Sequence, residues 1–309
     1  MRRMIVRGRG ERGAVAVMLA ILLVVLMGFA GLAIDLGGAY SDRQQLQNGA
    51  DAGALAIAES CARGACVDSA DKYAKANSLS GQATGKVVGT MTAPVSVEVN
   101  YRRKNLFAAV LGMPTMDISA RATASWGWPS GGKSFPLAFS WCAFRTATGG
   151  WDDQGKPLSE AITTVHLTES SCTPPAHNEV AGGFGWLDGT NCVANVSAGG
   201  RVGSDPGNDG SKTCKGYDWA SVLQKKAVLV PIFEEKSGSG QSATYLIKGL
   251  ASFTFTGYCF SSTARWKLDN CPNDKRIQGH FTSYTELSGS YKIDPKAPHF
   301  GAVVVNLTA

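Results

Sequence analysis

The sequence predicts an α+β protein. It should have a single N-terminal transmembrane helix continuing into an amphipathic helix, a small α+β unit, and a β-rich, disulfide-stapled extracytoplasmic domain. Three observations predict this. Residues 14–33 form a run with no charged or strongly polar side chain. Between residues 35 and 126 helical periodicity gives way to strict apolar–polar alternation. Beyond residue 129, short β-branched and aromatic runs are separated by Gly- and Pro-rich clusters and carry six of the eight cysteines.

The apolar run Ala14–Ala33 has 20 residues, which as a helix matches the hydrocarbon core of a bilayer. A helix is the inexpensive solution in lipid because it satisfies its own backbone hydrogen bonds. Arg2, Arg3, Arg7, Arg9 and Arg12 precede the run, offset by Glu11, and Asp35 follows it. Positive charge is retained on the cytoplasmic side, so the N-terminus is expected inside and the body outside. A secretory signal peptide is the alternative, since Gly28-Phe29-Ala30 and Gly31-Leu32-Ala33 are small-x-small sites. The run exceeds the roughly 7–15 residues of a signal core, and the helical pattern continues beyond it, so the anchor is expected to be retained. The chain thus divides into a basic cytoplasmic stub (1–13), a transmembrane helix (14–34), an α+β unit (35–128) and a β-rich extracytoplasmic domain (129–309).

Net charge argues in the same direction. Of the +6 total, the stub holds +4, which leaves +2 for the rest of the chain. The basic balance is a topology signal, and nucleic acid is not an expected partner. The cysteines Cys61, Cys66, Cys142, Cys172, Cys192, Cys214, Cys259 and Cys271 form an even set with no Cys-x-x-Cys pair. In an oxidising compartment they are expected to form four disulfides. Proximity favours Cys61–Cys66 and Cys259–Cys271; the remaining connectivity is open.

From Asp35 to Ser60 alanine, leucine and glutamine dominate and no proline intervenes. Leu36, Ala39, Tyr40, Arg43, Leu46, Gln47, Ala50, Ala54 and Ile57 recur at spacings of three and four, so a helix with one apolar face is predicted. Ala50, Ala54 and Ala58, with Gly49 and Gly53, form a small-residue stripe along which another backbone can approach closely. That partner is either the protein's own sheet or a neighbour's helix. A second helix is expected over residues 68–77, a turn-rich passage over 81–89, and a strand over 95–101. A short helix over 106–111, closed by Gly112 and Pro114, leads to a strand over 116–126.

The Arg-Gly near the start, the span ending in Gly-Leu-Ala-Ile-Asp-Leu-Gly, and the run Arg43-Gln44-Gln45-Leu46-Gln47-Asn48-Gly49-Ala50-Asp51-Ala52-Gly53-Ala54-Leu55-Ala56 resemble the N-terminus of TadE/TadG-like proteins. The strand, Leu-Phe and Leu-Gly turn, and Ile-Ser-Ala-Arg-Ala-Thr-Ala strand that follow are similar too, so the resemblance covers about residues 9–126. It implies a bacterial cell-surface protein of Flp (tight-adherence) pilus assembly, with the lipid bilayer and other pilus or secretion-system envelope proteins as partners. Two departures matter. After Gly13 the fifth residue is Met18, and after Gly8 or Gly10 it is Gly13 or Val15, so no carboxylate stands where a processed type IV-like pilin carries its glutamate. Asp117-Ile118-Ser119-Ala120-Arg121 breaks the Asp-x-Ser-x-Ser metal signature of larger relatives, and no metal is carried over.

In the second half, Trp126–Gly132 reads as a hinge. Strands are expected within 135–139, 162–167, 227–233, 245–250, 253–260 and 302–307, with a helix over 220–226. Pro231 places its strand at an edge or a bulge. Candidate chemistry is sparse. His166, His177, His280 and His299 are scattered, with no His-Glu-x-x-His helix. Ser237-Gly238-Ser239-Gly240 lacks the nucleophile-elbow pattern and reads as a linker. Asp205–Gly210 lacks the ligand spacing of a calcium loop, and the acidic pairs Asp152-Asp153 and Glu234-Glu235 read as solvated loops. The seven tryptophans suit core packing more than a carbohydrate platform. No enzyme, no cofactor and no metal site is expected. The expected function is a membrane-anchored structural or assembly component; the alternatives are a membrane-tethered glycan or cell-wall binding module and, last, an exported hydrolase.

Overall fold

A computed structural model describes residues 12–308 apart from 153–155, 169–171, 175–179, 181, 207–209, 218–220, 222, 225–226, 262–263, 270–274, 288 and 295. Helix α1 runs unbroken from Arg12 to Ala62. Its 51 residues make a rod about 75 Å long. The apolar run and the amphipathic segment are therefore one helix. After the Cys61–Cys66 disulfide turns the chain, α2 (Ala70–Asn77) packs back on α1.

Strands β1 (Thr84–Val88), β2 (Val95–Lys104) and β3 (Thr115–Gly127) form an antiparallel meander. The passage over 81–89, expected as turns, thus contains a strand. Gly85 is required there, because a β-carbon would lie 2.4 Å from the Ala70 carbonyl oxygen of α2. The alternation of β2 decides its facing: Val95, Val97 and Val99 are buried under the helices while Ser96, Glu98 and Asn100 are half-exposed. They meet Leu46, Ala50, Ala54, Ile57 and Ala58 of α1, and Ala120, Ala122 and Ala124 of β3 complete this core. The result is a two-layer α/β unit.

The rest of the chain is β-rich. Its strands are β4 (Pro129–Ser134), β5 (Leu137–Ser140), β6 (Thr163–His166), β7 (Phe184–Trp186), β8 (Ala194–Ser197), β9 (Arg201–Gly203) and β10 (Val228–Ser237). Then follow β11 (Thr244–Cys259), β12 (Arg265–Trp266), β13 (Arg276–Phe281), β14 (Tyr284–Leu287), β15 (Tyr291–Ile293) and β16 (Ala302–Thr308). Helix α3 (Trp141–Thr148) follows β5, with the Ser140 hydroxyl accepting from the Ala143 amide as its N-cap. The main sheet has the order β6-β13-β11-β10-β5-β7, with β9 and β12 also on β11. The strands β15-β4-β8 make a small second sheet. At the C-terminus β16 returns to pair with β3, and β14 pairs with β16, so the first sheet grows to five strands. An aromatic cluster of Phe139, Phe144, Phe253, Phe281 and Phe300 fills one side of the main sheet. The disulfides Cys142–Cys172 and Cys192–Cys214 staple its loops. Cys259 is disulfide-bonded too; the expected Cys259–Cys271 pairing involves Cys271, which lies outside the described residues.

Several details differ from the sequence expectation. Most of Trp126–Gly132, whose composition reads as a hinge, lies in strands: β3 ends at Gly127 and β4 begins at Pro129. The runs over 245–250 and 253–260 are one strand, β11, paired along its length with β10 and β13. Pro231 lies in an inner strand, one residue before the register shifts of β10 against β11, so the bulge expectation holds and the edge expectation does not. The segment over 106–111 holds a single 3-10 turn, Ala108–Leu111, in place of an α-helix. Of the helix expected over 220–226, residues 220, 222, 225 and 226 lie outside the described residues.

Candidate functional site

The region most unlike a soluble domain is the first half of α1 and what packs against its upper end. From residue 15 to residue 30 of the apolar run the side chains are exposed, Val24 at 70% and Met18 at 72% for example. An 18-residue window in this helix has a mean hydropathy of 2.9 and is only 6% buried. Twenty helical residues span about 30 Å, the thickness of a hydrocarbon core.

Directly above the run, α1 turns a different face inward. Gly31, Asp35, Gly38, Asp42, Leu46, Ala50 and Ala54 follow one another at intervals of three and four, hence on one side of the helix. Onto the lower part of that side folds the β2–β3 connection, residues 105–114. Its shape is fixed internally: Asn105 Nδ2 donates to the Met113 carbonyl, and the Asn105 amide donates to the Pro114 carbonyl. Gly112, at φ +86°, closes the 3-10 turn in the left-handed conformation that glycine adopts without strain.

Asp35 holds this connection to the helix. Its side chain is buried, and its carboxylate accepts the amides of Leu106 at 2.9 Å, Phe107 at 2.9 Å and Ala108 at 2.7 Å. Three backbone donors converging on one carboxylate stabilise its charged form. They hold the Asp35 carboxyl below the ordinary aspartate value, the Ala108 amide foremost, against a smaller opposing effect of burial. One turn below, the Phe107 ring fills the space a side chain at position 31 would need. One turn above, Arg103 occupies the notch at Gly38 and pairs with Asp42. A ring, a carboxylate that accepts three backbone amides and an ion pair thus fix the sheet to the helix within about three turns.

The small-residue stripe lies higher on α1. Ala50, Ala54 and Ala58 are fully buried. A β-carbon at Gly49 would stand 3.3 Å from the Ala74 Cα, and one at Gly53 would stand 3.4 Å from Val97 Cγ1 and 3.5 Å from the Ala70 Cα. The stripe therefore packs on the protein's own α2 and sheet. Leu36, Tyr40 and Arg43, grouped with that face by spacing, are instead exposed, because the inward side is the one carrying Asp35 and Asp42.

The remaining candidates do not converge. Among the described residues no cluster of three His, Cys, Asp or Glu side chains is placed to hold a metal ion. His166 lies on β6 and His280 on β13; His299 packs on Trp128 at 4.7 Å, and burial lowers its pKa. His177, Trp219 and Asp153 lie outside the described residues. None of the other six tryptophans is exposed, so no aromatic platform forms among the described residues. Asp205 is buried and accepts from Ser211 Oγ at 2.7 Å and the Thr213 amide at 3.1 Å, a cap for the turn that follows. Glu234, expected in a solvated loop, is buried within β10 and pairs with Lys248. A cleft of about 1100 Å³ lies between the Cys61 turn, Trp126, Trp128, Asp152 and His299.

Sequence reasoning marked Asp35 as the residue after the span and did not find its role, since its partners lie more than 70 positions on. The available signal was the acid's place on the same helical side as Leu46 and Ala50.

Residues 13–59 match the family model for TadE/G-like proteins of Flp pilus assembly. The match covers nearly the whole of α1: the apolar run, Asp35 and the small-residue stripe. It stops short of the β2–β3 passage. No curated protein and no solved structure matches the chain.

Proposed function

We propose that this chain is a single-pass envelope component of a Flp-type, tight-adherence pilus or a related bacterial surface system, acting structurally and not as a catalyst. The observation that carries the reading is the coincidence on one helix of the family match over residues 13–59 with an exposed apolar run long enough to span a bilayer. The five arginines of residues 1–13 would stay in the cytoplasm, and the disulfide-bonded body would face outward. The continuity of α1 suits the role: the segment that would lie in lipid and the segment packed on β2 and β3 belong to one helix. The partners are then the bilayer and other envelope proteins of the same apparatus.

The test is genetic and biochemical in the native bacterium. Deleting the gene should abolish surface filaments and adherence, and the tagged chain should co-purify with envelope components of the pilus apparatus. Wild-type filaments and adherence after deletion, with no such co-purification, would overturn the reading.

A further inference from the structure

We propose that the β2–β3 connection, residues 105–114, is a second membrane contact, lying in the interfacial layer of the same bilayer that α1 crosses. This rests on the reading of Ala14–Ala33 as a membrane anchor.

Three observations converge. The connection is short, and yet it exposes Leu106 (67%), Phe107 (47%), Val110 (85%), Leu111 (66%) and Met113 (54%). A turn in water normally carries polar side chains, and a contiguous apolar patch of this kind marks a surface that is covered in the working protein. The second observation is depth. Phe107 rests against Gly31, which lies inside the apolar run two residues before its end at Ala33, a rise of about 3 Å. Wherever the run sits in lipid, the connection is held level with its last turn, at the boundary of hydrocarbon and headgroups. The bond set from Asp35 to Leu106, Phe107 and Ala108 fixes that level. The third observation is charge. Arg102 and Lys104 stand exposed at the end of β2 that leads into the connection, with Arg102 also paired to Asp117. Lys and Arg stems beside an apolar turn suit the interfacial layer, where the stem lies on apolar surface and the charged end reaches the headgroups. The occupant that satisfies all three is the bilayer surface itself, continuous with the lipid around α1.

The geometry also supplies a purpose. A single helix leaves the body free to rotate about its own axis and to tilt. A second contact on one side of α1 sets the azimuth of the body relative to the membrane plane.

The test uses the full chain in nanodiscs of phosphatidylethanolamine and phosphatidylglycerol, with a photoreactive benzophenone amino acid at one position at a time. Leu22 reports the span. Val110 reports the connection. Leu287 is exposed at 54% on β14 and joins through Val305 to Trp126 at the far end of β3, so it gives the background. The proposal expects lipid adducts at Val110 rising to the level seen at Leu22, far above Leu287. Lipid adducts at Leu22 with only background at Val110, or a Val110 crosslink to a second protein chain, would overturn the proposal and leave the anchor intact. Background adducts at Leu22 would overturn the anchor reading, and this proposal with it.

Discussion

Phe107 lies so close to Gly31 that a β-carbon at position 31 would stand 2.7 Å from the ring's Cγ and 2.8 Å from its Cβ. This contact joins the end of the apolar run to the first turn of the docking face, and it depends on the glycine. A larger residue must expel the ring, because on the other side Phe107 is tied by its own amide to Asp35. We expect Gly31→Leu to weaken docking of the connection by about 1–3 kcal/mol, the usual cost of overpacking. The amides of Leu106, Phe107 and Ala108 should then exchange faster, while those of β10 and β11 keep their protection. Unchanged protection at all three amides would contradict the packing described.

Asp35 makes the same docking pH-dependent. Its carboxyl pKa is lowered in the fold, so the stabilisation it provides is complete above the unfolded aspartate value and lost as pH falls through the folded one. The window is therefore acidic, below the ordinary aspartate value of 3.8. Amide exchange at Leu106–Ala108 should accelerate on acidification after correction for intrinsic rates. Asp35→Asn should show that faster exchange already at neutral pH and lose the pH dependence. A neutral-pH exchange rate in Asp35→Asn equal to the natural protein's would refute the role.

Much of the first unit was legible in its sequence because its elements have clear periods. The alternation of Val95–Tyr101 placed a strand with the right face inward, and the helix α2 comes close to α1 at Gly49 and Gly53. What escaped was non-local. β1 is a short Thr-Gly-Lys-Val-Val segment whose glycine exists for the sake of Ala70, which no local pattern reveals. Pro129–Ser134 has the composition of a turn and becomes a strand because β8 and β15 pair with it. β16 reads locally as a strand, but nothing nearby says that it pairs with β3, some 180 residues earlier. Asp35 escaped for the same reason. Glu234 did so because its partner Lys248 lies across a hairpin whose register the sequence does not state.

The core between α1 and the sheet should respond in proportion to burial. Leu46 and Ile57 are 2% and 0% exposed, whereas Leu36 is 62% exposed. Leu46→Ala and Ile57→Ala should each cost about 2–5 kcal/mol in chemical denaturation, because a cavity is added to the lost transfer energy. Leu36→Ala should stay within about 0.5 kcal/mol. Equal effects at Leu36 and Leu46 would mean that the inward side of α1 is misassigned.

The disulfides should differ in weight. Cys142–Cys172 closes a separation of 30 residues and Cys61–Cys66 one of 5. On the chain-entropy account, replacing both cysteines of the longer bridge by serine should cost roughly 3–4 kcal/mol, against about 2 kcal/mol for the shorter. Thermal denaturation of the two double variants reads the order directly. A greater loss from removing Cys61–Cys66 would show that its role at the end of α1 exceeds loop closure.

Protease treatment of intact spheroplasts, with alkaline extraction of membranes from treated and untreated samples, tests the central claim most directly. Without protease, the full-length chain, residues 1–33 included, should remain in the stripped membranes. External protease should remove the body and leave a short N-terminal fragment in the bilayer. A chain released by alkali with its N-terminus after Ala30 or Ala33, or a body that only permeabilised cells expose to protease, would contradict the account.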